Sequence, residues 1–256
     1  MEDLIGAGEP SPVRVLRPDG GSDFLLTADH AGQRIPRALG MLGLDEAELG
    51  RHIAWDIGIA AVTEGLADML NATAVLQEYS RLVIDCNRAP EHATSVPTVS
   101  ESTVIPGNEG LSDAARAARR QAIFDPYHAA IAALIDRRAA AHRRTVLIAM
   151  HSFTPVFRNI SRMVQIGVLY HRDTRLARIM LDLLREEGDL VVGDNEPYAI
   201  TDTSDYTVPV HGERRGLAHV EIEIRQDLIA KLPDQAEWAA RMALLLTEAD
   251  RRLRKA

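Results

Sequence analysis

The chain has 256 residues, 46% hydrophobic and 26% charged, which fits one ordinary globular domain with ample material for a core. The formal net charge of -8 argues against a nucleic-acid binder, since neutralising phosphates takes a basic face. One cysteine, Cys86, excludes an intrachain disulfide and a cysteine-based zinc site, and no apolar run reaches membrane-spanning length.

The N-terminal stretch, residues 1–21, is polar and rich in Gly and Pro, and reads as a loosely ordered segment without a signal-peptide core. A cytoplasmic location follows as the expectation. Phe24-Leu25-Leu26-Thr27 is a short apolar run that ends in Ala28-Asp29-His30, a buried strand delivering polar groups at its end. From Asp45 to Leu70, apolar residues recur at helical spacing (Leu49, Ile53, Ile57, Ala60, Ala61, Leu66), and Asn71 is the stop. Ala74-Val75-Leu76 and Leu82-Val83-Ile84 are two further strand candidates around the polar Gln77 to Arg81. Residues 88–110 hold Pro90, Pro97, Pro106 and Gly107 among many Ser and Thr, a long irregular loop of the kind that is functional or disordered.

Leu111 to Arg144 is Ala- and Arg-rich and helical, interrupted near Asp125-Pro126. Thr145 to Met150 is the clearest buried strand and ends in His151-Ser152-Phe153; Met163 to Tyr170 is another strand, and Asp173 to Glu187 an amphipathic helix. A loop-rich stretch follows from Gly188 to Gly216. Then comes His219-Val220-Glu221-Ile222-Glu223-Ile224-Arg225, whose strict alternation puts three β-branched residues on one strand face and the charged residues on the other. A long helix from about Asp234 closes the chain. Strands alternating with helices imply an α/β sandwich with a mostly parallel or mixed sheet, and in such sheets sites form at the carboxyl ends of strands.

His30, Asp85, His151 and Arg225 fall at those ends. Two strand-end histidines on neighbouring parallel strands can share a metal, and a catalytic zinc takes three protein ligands, commonly two His and a carboxylate. The third ligand is open between His52 and Asp56, spaced i and i+4, and Asp29 or Asp85; an ordinary His52–Asp56 ion pair reads the same way. Glu221 or Glu223 can act as the general base, and a Glu–Arg cross-strand pair is the plain alternative. Arg81 can polarise a carbonyl, and Asn87-Arg88 offers an amide and a guanidinium fork for a carboxylate; the plain alternative is an Arg paired with Asp85. His211-Gly212-Glu213-Arg214-Arg215-Gly216 is a charged loop able to close over a substrate, as are Tyr198 and Tyr206, or simply a solvated turn. No nucleophile elbow, Walker loop or dinucleotide fingerprint occurs.

Taken together, Ala28 to Pro36, His52 to Gly58, Tyr79 to Arg88, His151 to Pro155, Gly193 to Tyr198, Tyr206 to Gly212 and His219 to Leu228 resemble the N-formylglutamate amidohydrolase family, which looks like a distant relative of the zinc carboxypeptidases and aspartoacylases. The resemblance runs through most of the chain in order. It implies one domain over residues 1–256 with a three-layer α/β/α sandwich around a central mixed, mostly parallel sheet. It further implies a zinc-dependent amidohydrolase acting on a small N-acyl amino acid, nominally N-formylglutamate; charge and hydropathy add the expectation of no nucleic-acid or membrane partner. His30 and His151 become metal ligands. Glu223 is similar to the relatives' general base and Arg81 to their carbonyl-polarising Arg, while Asn87 and Arg88 hold the substrate carboxylate. His211, Arg214 and Arg225 join the substrate-binding set. One departure stands out. The relatives use His-x-x-Glu for their first two ligands, and here Gln33 follows His30. Asp56 is the expected replacement. Hydrolysis of another N-acyl amino acid or a small peptide, or non-catalytic binding of small anions, are the alternative functions.

Overall fold

The computed structural model describes residues 3–255. The elements in chain order are β1 (Val13–Leu16), β2 (Phe24–Ala28), α1 (Glu46–Leu49), α2 (Ile59–Leu70), β3 (Thr73–Gln77), β4 (Val99–Ser100), β5 (Thr103–Val104), α3 (Asp113–Arg119), α4 (Asp125–Ala140), β6 (Val146–Phe153), β7 (Val156–Phe157), β8 (Ile160–Ser161), β9 (Ile166–Leu169), α5 (Arg175–Glu187), β10 (Val192–Asp194), β11 (Ala218–Arg225) and α6 (Leu232–Leu253). Seven strands form one sheet in the order β1-β3-β2-β6-β11-β9-β10. The central strands β3, β2, β6 and β11 run parallel, whereas β1 joins β3 and β9 joins β11 antiparallel.

Strand alternation sorts the apolar side chains into two cores. Leu26, Ala74, Leu76, Ile148, Met150, Val220, Ile222 and Ile224 pack with α2, α5 and α6 on one face. Leu25, Val75 and Leu147 pack on the other face with Tyr127, Ile131 and Ile135 of α4 and with buried residues of the 79–105 segment. The expected three-layer α/β/α sandwich with a mixed, mostly parallel sheet is therefore the fold. Among the described residues, no helix is long and apolar enough to cross a membrane.

Three local expectations are corrected. Residues 3–21 are not loose throughout, because Val13–Leu16 forms an edge strand against β3 with Val15 opposite Val75; Met1 and Glu2 lie outside the described residues. The helix expected over 45–70 is split into α1 and α2. Gly58 forces the break, since it sits at φ 83° and a Cβ there would lie 2.2 Å from the Ile229 carbonyl oxygen. The intervening 50–58 segment instead crosses the end of β2, where the Asp56 N–H donates to the His30 carbonyl at 2.9 Å.

Leu82-Val83-Ile84 is buried but forms a turn rather than a strand. Side chains replace the missing ladder. Asn108 Nδ2 donates to the Leu82 carbonyl at 2.8 Å, and the buried Arg119 guanidinium donates to the Val83 carbonyl at 3.0 Å. The interruption expected near Asp125-Pro126 is a π-turn over Arg120–Phe124 that links α3 to α4. Pro126 has no N–H to continue the regular ladder, which favours such a widened turn.

Candidate active site

The site lies where the parallel strands end, on the sheet face that carries the loops. β2 runs out at Ala28 and delivers Asp29 and His30, both buried. β6 carries His151, and the parallel register sets Glu223 of β11 directly beside it, so both side chains leave the sheet on the same face. Glu221 stands two residues earlier on that face. Asp56 arrives from the split between α1 and α2.

The two histidines converge on one carboxylate oxygen. Asp56 Oδ2 lies 3.0 Å from His151 Nδ1 and 3.5 Å from His30 Nδ1, and it accepts a hydrogen bond from the Ser152 N–H at 3.2 Å. The far nitrogen of each ring faces a different carboxylate. His30 Nε2 is 2.7 Å from Asp85 Oδ1, and His151 Nε2 is 3.2 Å from Asp29 Oδ2, out of line for a good hydrogen bond. Both carboxylates are held in turn. Asp29 Oδ1 accepts from the Tyr127 hydroxyl at 2.7 Å and the Thr207 hydroxyl at 2.8 Å. Asp85 accepts from Arg81 Nη2 at 2.7 Å and from the Asn87 N–H at 2.9 Å. Arg81 Nη1 also lies 3.5 Å from Asp56 Oδ1.

This donor set fits a metal ion. Zinc–nitrogen and zinc–oxygen bonds of about 2.0–2.2 Å arranged tetrahedrally put neighbouring ligand atoms about 3.3–3.6 Å apart. The Nδ1–Oδ2 separations of 3.0 and 3.5 Å are close to that spacing. Candidate ligand atoms of His30, Asp56 and His151 all fall within 4.8 Å of one another. His30 Nδ1 is buried with no hydrogen-bond partner, and the carboxylate behind each ring is the usual second support of a metal-binding histidine.

Electrostatics follow from the packing of acids against imidazoles in a buried place. Burial opposes ionisation of Asp29, but His151 and His30 hold its carboxyl at about 2. Burial likewise opposes ionisation of Asp56, and His30 and His151 overcome it; for Asp85, Arg81 and His30 do the same, so both carboxyls titrate below the usual range. His30 is pushed down by burial and by Arg81, yet Asp85 and Asp56 carry it above its ordinary value. His151 rises further, because Glu221, Asp29 and Asp56 outweigh its burial. Glu223 is pushed up to about 7 by burial, with His151 opposing and the Asp56 charge reinforcing. Burial raises Glu221 too, and His151 only partly offsets it. One oxygen of each glutamate has no hydrogen-bond partner. The cluster thus combines aspartates held ionised, imidazoles whose proton affinity the surrounding carboxylates raise, and a glutamate poised to take or give a proton near neutrality.

A cavity of about 520 Å³ opens onto this cluster. His30, His151, Glu221 and Glu223 line it at the strand ends and Asp56 from the 50–58 segment, with Arg81, Asn87 and Arg88 also in its lining. Gln33 is exposed and absent from the lining, so the departure at that position leaves the cleft untouched. His52 lines the cavity but pairs with Glu101 Oε2 at 3.5 Å rather than joining the two histidines.

Three expected substrate contacts lie elsewhere. His211 is buried outside the lining, with Nε2 3.0 Å from His128 Nδ1, because the loop that carries it folds inward as a π-turn over Val208–Gly212. Arg214 is exposed on a short 3-10 turn away from the cavity. Arg225 points toward the 162–164 loop, donating to the Arg162 carbonyl at 3.1 Å, and is paired with Asp227 at 2.8 Å. Asn87 does reach the cavity, but its Oδ1 accepts from the Tyr206 and Thr207 N–H groups at 3.0 and 3.1 Å, which pins the following loop. Sequence reasoning missed Tyr127 and Thr207, the hydroxyls that hold Asp29. Each sits far along the chain, one inside α4 and one at the start of the Val208–Gly212 π-turn, and carries no local signal.

Fold and site define a class: a three-layer α/β/α protein with a buried acid–imidazole cluster, able to hold a metal ion, at the carboxyl ends of its parallel strands. The sequence profile of the N-formylglutamate amidohydrolase family matches residues 22–230, and the chain belongs to that family. A gene product from Agrobacterium tumefaciens is 40% identical in sequence; the match covers 98% of this chain and 99% of that one, with a TM-score of 0.95. An N-formylglutamate amidohydrolase from Ralstonia eutropha JMP134 shares the fold at 18% identity, over 96% of this chain and 100% of that one, with a TM-score of 0.67. No curated protein sequence matches the chain. Family membership makes this an amidohydrolase acting on a small molecule.

Proposed function

We propose that the cleft hydrolyses the amide of an N-acyl amino acid, nominally N-formylglutamate to formate and glutamate, with zinc as the metal. The observation that carries this reading is the meeting of His30, Asp56 and His151 around one oxygen, each histidine backed by its own carboxylate, with Glu223 in register beside His151. His30, Asp56 and His151 would hold the ion, which supplies Lewis acidity and a water of lowered pKa.

The chain's own groups supply the rest. Glu223, pushed up to about 7, takes the proton of the attacking water and returns it to the amine nitrogen as the carbon–nitrogen bond breaks. Arg81 commits two contacts to Asp85 and Asp56 and keeps other N–H groups for the negative charge that develops on the acyl oxygen. Arg88 lines the cavity with no acidic partner among the described residues, and we assign it the substrate α-carboxylate. Asn87 holds the 205–207 segment against this wall. Asp85 and Asp29 orient the two imidazoles.

The test combines metal analysis with hydrolysis of N-formylglutamate by wild type and Glu223→Gln. We expect one metal per chain, loss of activity on chelation, and a fall in kcat of about 10²–10⁴ in the variant with its metal content intact. A zinc-loaded wild type with no turnover, or a fully active Glu223→Gln, overturns the reading.

A further inference from the structure

Two hairpins, β4–β5 and β7–β8, contribute to the cavity lining, and they carry a cation that the proposed chemistry leaves unused. The β7–β8 hairpin turns through Arg158 and Asn159, at φ 49° and 62°, the two-residue turn whose twist suits a tight hairpin. The tip is latched to the neighbouring β4–β5 hairpin. Glu101 Oε1 accepts the Arg158 backbone N–H at 2.9 Å, and Glu101 Oε2 takes Arg51 Nη2 at 2.6 Å. The nearest carboxylate is therefore committed to the backbone of Arg158 and to another arginine. The Arg158 guanidinium stacks 5.4 Å from the centroid of Phe157, and both side chains line the cavity. Among the described residues it has no acidic partner, in a chain where acids outnumber bases by 37 to 29.

Three arginines line the cavity: Arg81, Arg88 and Arg158. Arg81 is neutralised by Asp85 and Asp56. Two unpaired guanidinium groups remain. A substrate with a single carboxylate uses one of them, and a substrate with two uses both.

We propose that Arg158 is a specificity-determining residue that binds the side-chain carboxylate of an acidic N-acyl amino acid, while Arg88 takes the α-carboxylate. This rests on the amidohydrolase reading above and adds to it a second anionic subsite, held at the cavity wall by the Glu101 latch.

The probes are N-formyl-L-glutamate and N-formyl-L-glutamine, which differ only in the charge of the terminal group. Binding is measured by calorimetry on the protein as purified and on Arg158→Gln, Arg158→Lys and Arg158→Glu, and hydrolysis is followed in parallel. Wild type should prefer the diacid by about tenfold or more in Kd and in kcat/KM, the range of a charge-assisted hydrogen bond. Arg158→Gln should collapse that ratio toward unity through KM rather than kcat. Arg158→Glu should invert it, and Arg158→Lys should restore part of it. A wild type that binds both probes equally, or an Arg158→Gln that keeps the wild-type ratio, overturns the assignment. Binding discrimination without any hydrolysis would support this subsite and count against the amidohydrolase reading alone.

Discussion

Asp56 is the residue on which the site's assembly depends, and Asp56→Asn removes its charge while keeping its volume. Its Oδ2 lies 3.0 and 3.5 Å from two imidazole nitrogens. At an effective dielectric constant of about 20, these contacts with protonated rings are worth roughly 5 kcal/mol each before desolvation is counted. Desolvation cancels much of that, and breaking a buried pair of this kind costs about 3–5 kcal/mol. For a chain of this size each kcal/mol is roughly 2–4 °C, so the chelated variant should melt roughly 6–20 °C below wild type near pH 6. His30 and His151 both have folded pKa values raised above their ordinary one. Their contribution is complete below about pH 6.5 and is lost as pH rises through the raised values, so the gap between wild type and variant should narrow in alkali. Metal affinity, measured by chelator competition, should fall by at least about 100-fold, the upper end of what losing a supporting residue does. A variant that binds metal as wild type does and melts within about 2 °C of it in chelator would refute this account of Asp56.

Two further outcomes test the packing behind the site. His128 and His211 are buried and stacked, and burial lowers their pKa values to about 4 and about 3. A histidine depressed in the folded state stabilises fully above its unfolded value near 6.5 and loses that contribution as pH falls. Glu223 and Glu221 act in the opposite sense over part of that range, so the informative quantity is wild type against His128→Gln. Between about pH 6.5 and 4 the variant should gain roughly 3 kcal/mol on wild type by denaturant melts, and a gap that stays constant removes the argument. Gly58→Ala places a Cβ 2.2 Å from the Ile229 carbonyl oxygen at φ 83°. It should cost roughly 2 kcal/mol or more and weaken metal binding by displacing Asp56 two residues away, whereas a metal-replete variant of wild-type Tm would show that the break between α1 and α2 tolerates a side chain.

The sheet was readable because its strands obey one rule, alternation or a continuous apolar run bounded by polar residues. Thr145 to Met150 and the 219–225 strand carried that signal in full, and both are central strands. The errors came where burial and secondary structure part company. Leu82-Val83-Ile84 looks like a strand because it is apolar, but its carbonyls are satisfied by Asn108 and Arg119, and no local pattern announces partners 26 and 36 residues away. The helix expected across 45–70 failed for a related reason. Its apolar spacing is real, yet Gly58 must pass against Ile229 from the other end of the chain, and tertiary contact overrides periodicity there.

The same distinction governs the site. His30, His151 and Glu223 could be read because each ends or lies on a strand whose direction the sequence fixes, so their faces follow from counting residues. Asp56 was reachable through its spacing from His52 and as the substitute for the carboxylate missing at Gln33, and the helical reason was mistaken: His52 and Asp56 lie in an irregular segment, and only Asp56 meets His30 and His151. Charged loops gave no such constraint. His211, Arg214 and Arg225 share the composition of substrate contacts with Arg88 and Arg158, yet the first three turn into the core, into solvent or onto backbone carbonyls, and only the last two line the cavity. What separates them is the supply of nearby acceptors. Arg225 has Asp227 two residues on, whereas the acid beside Arg158 is already held by Arg51. An arginine kept free of acids inside a cleft is a property of the assembled walls, and sequence composition cannot express it.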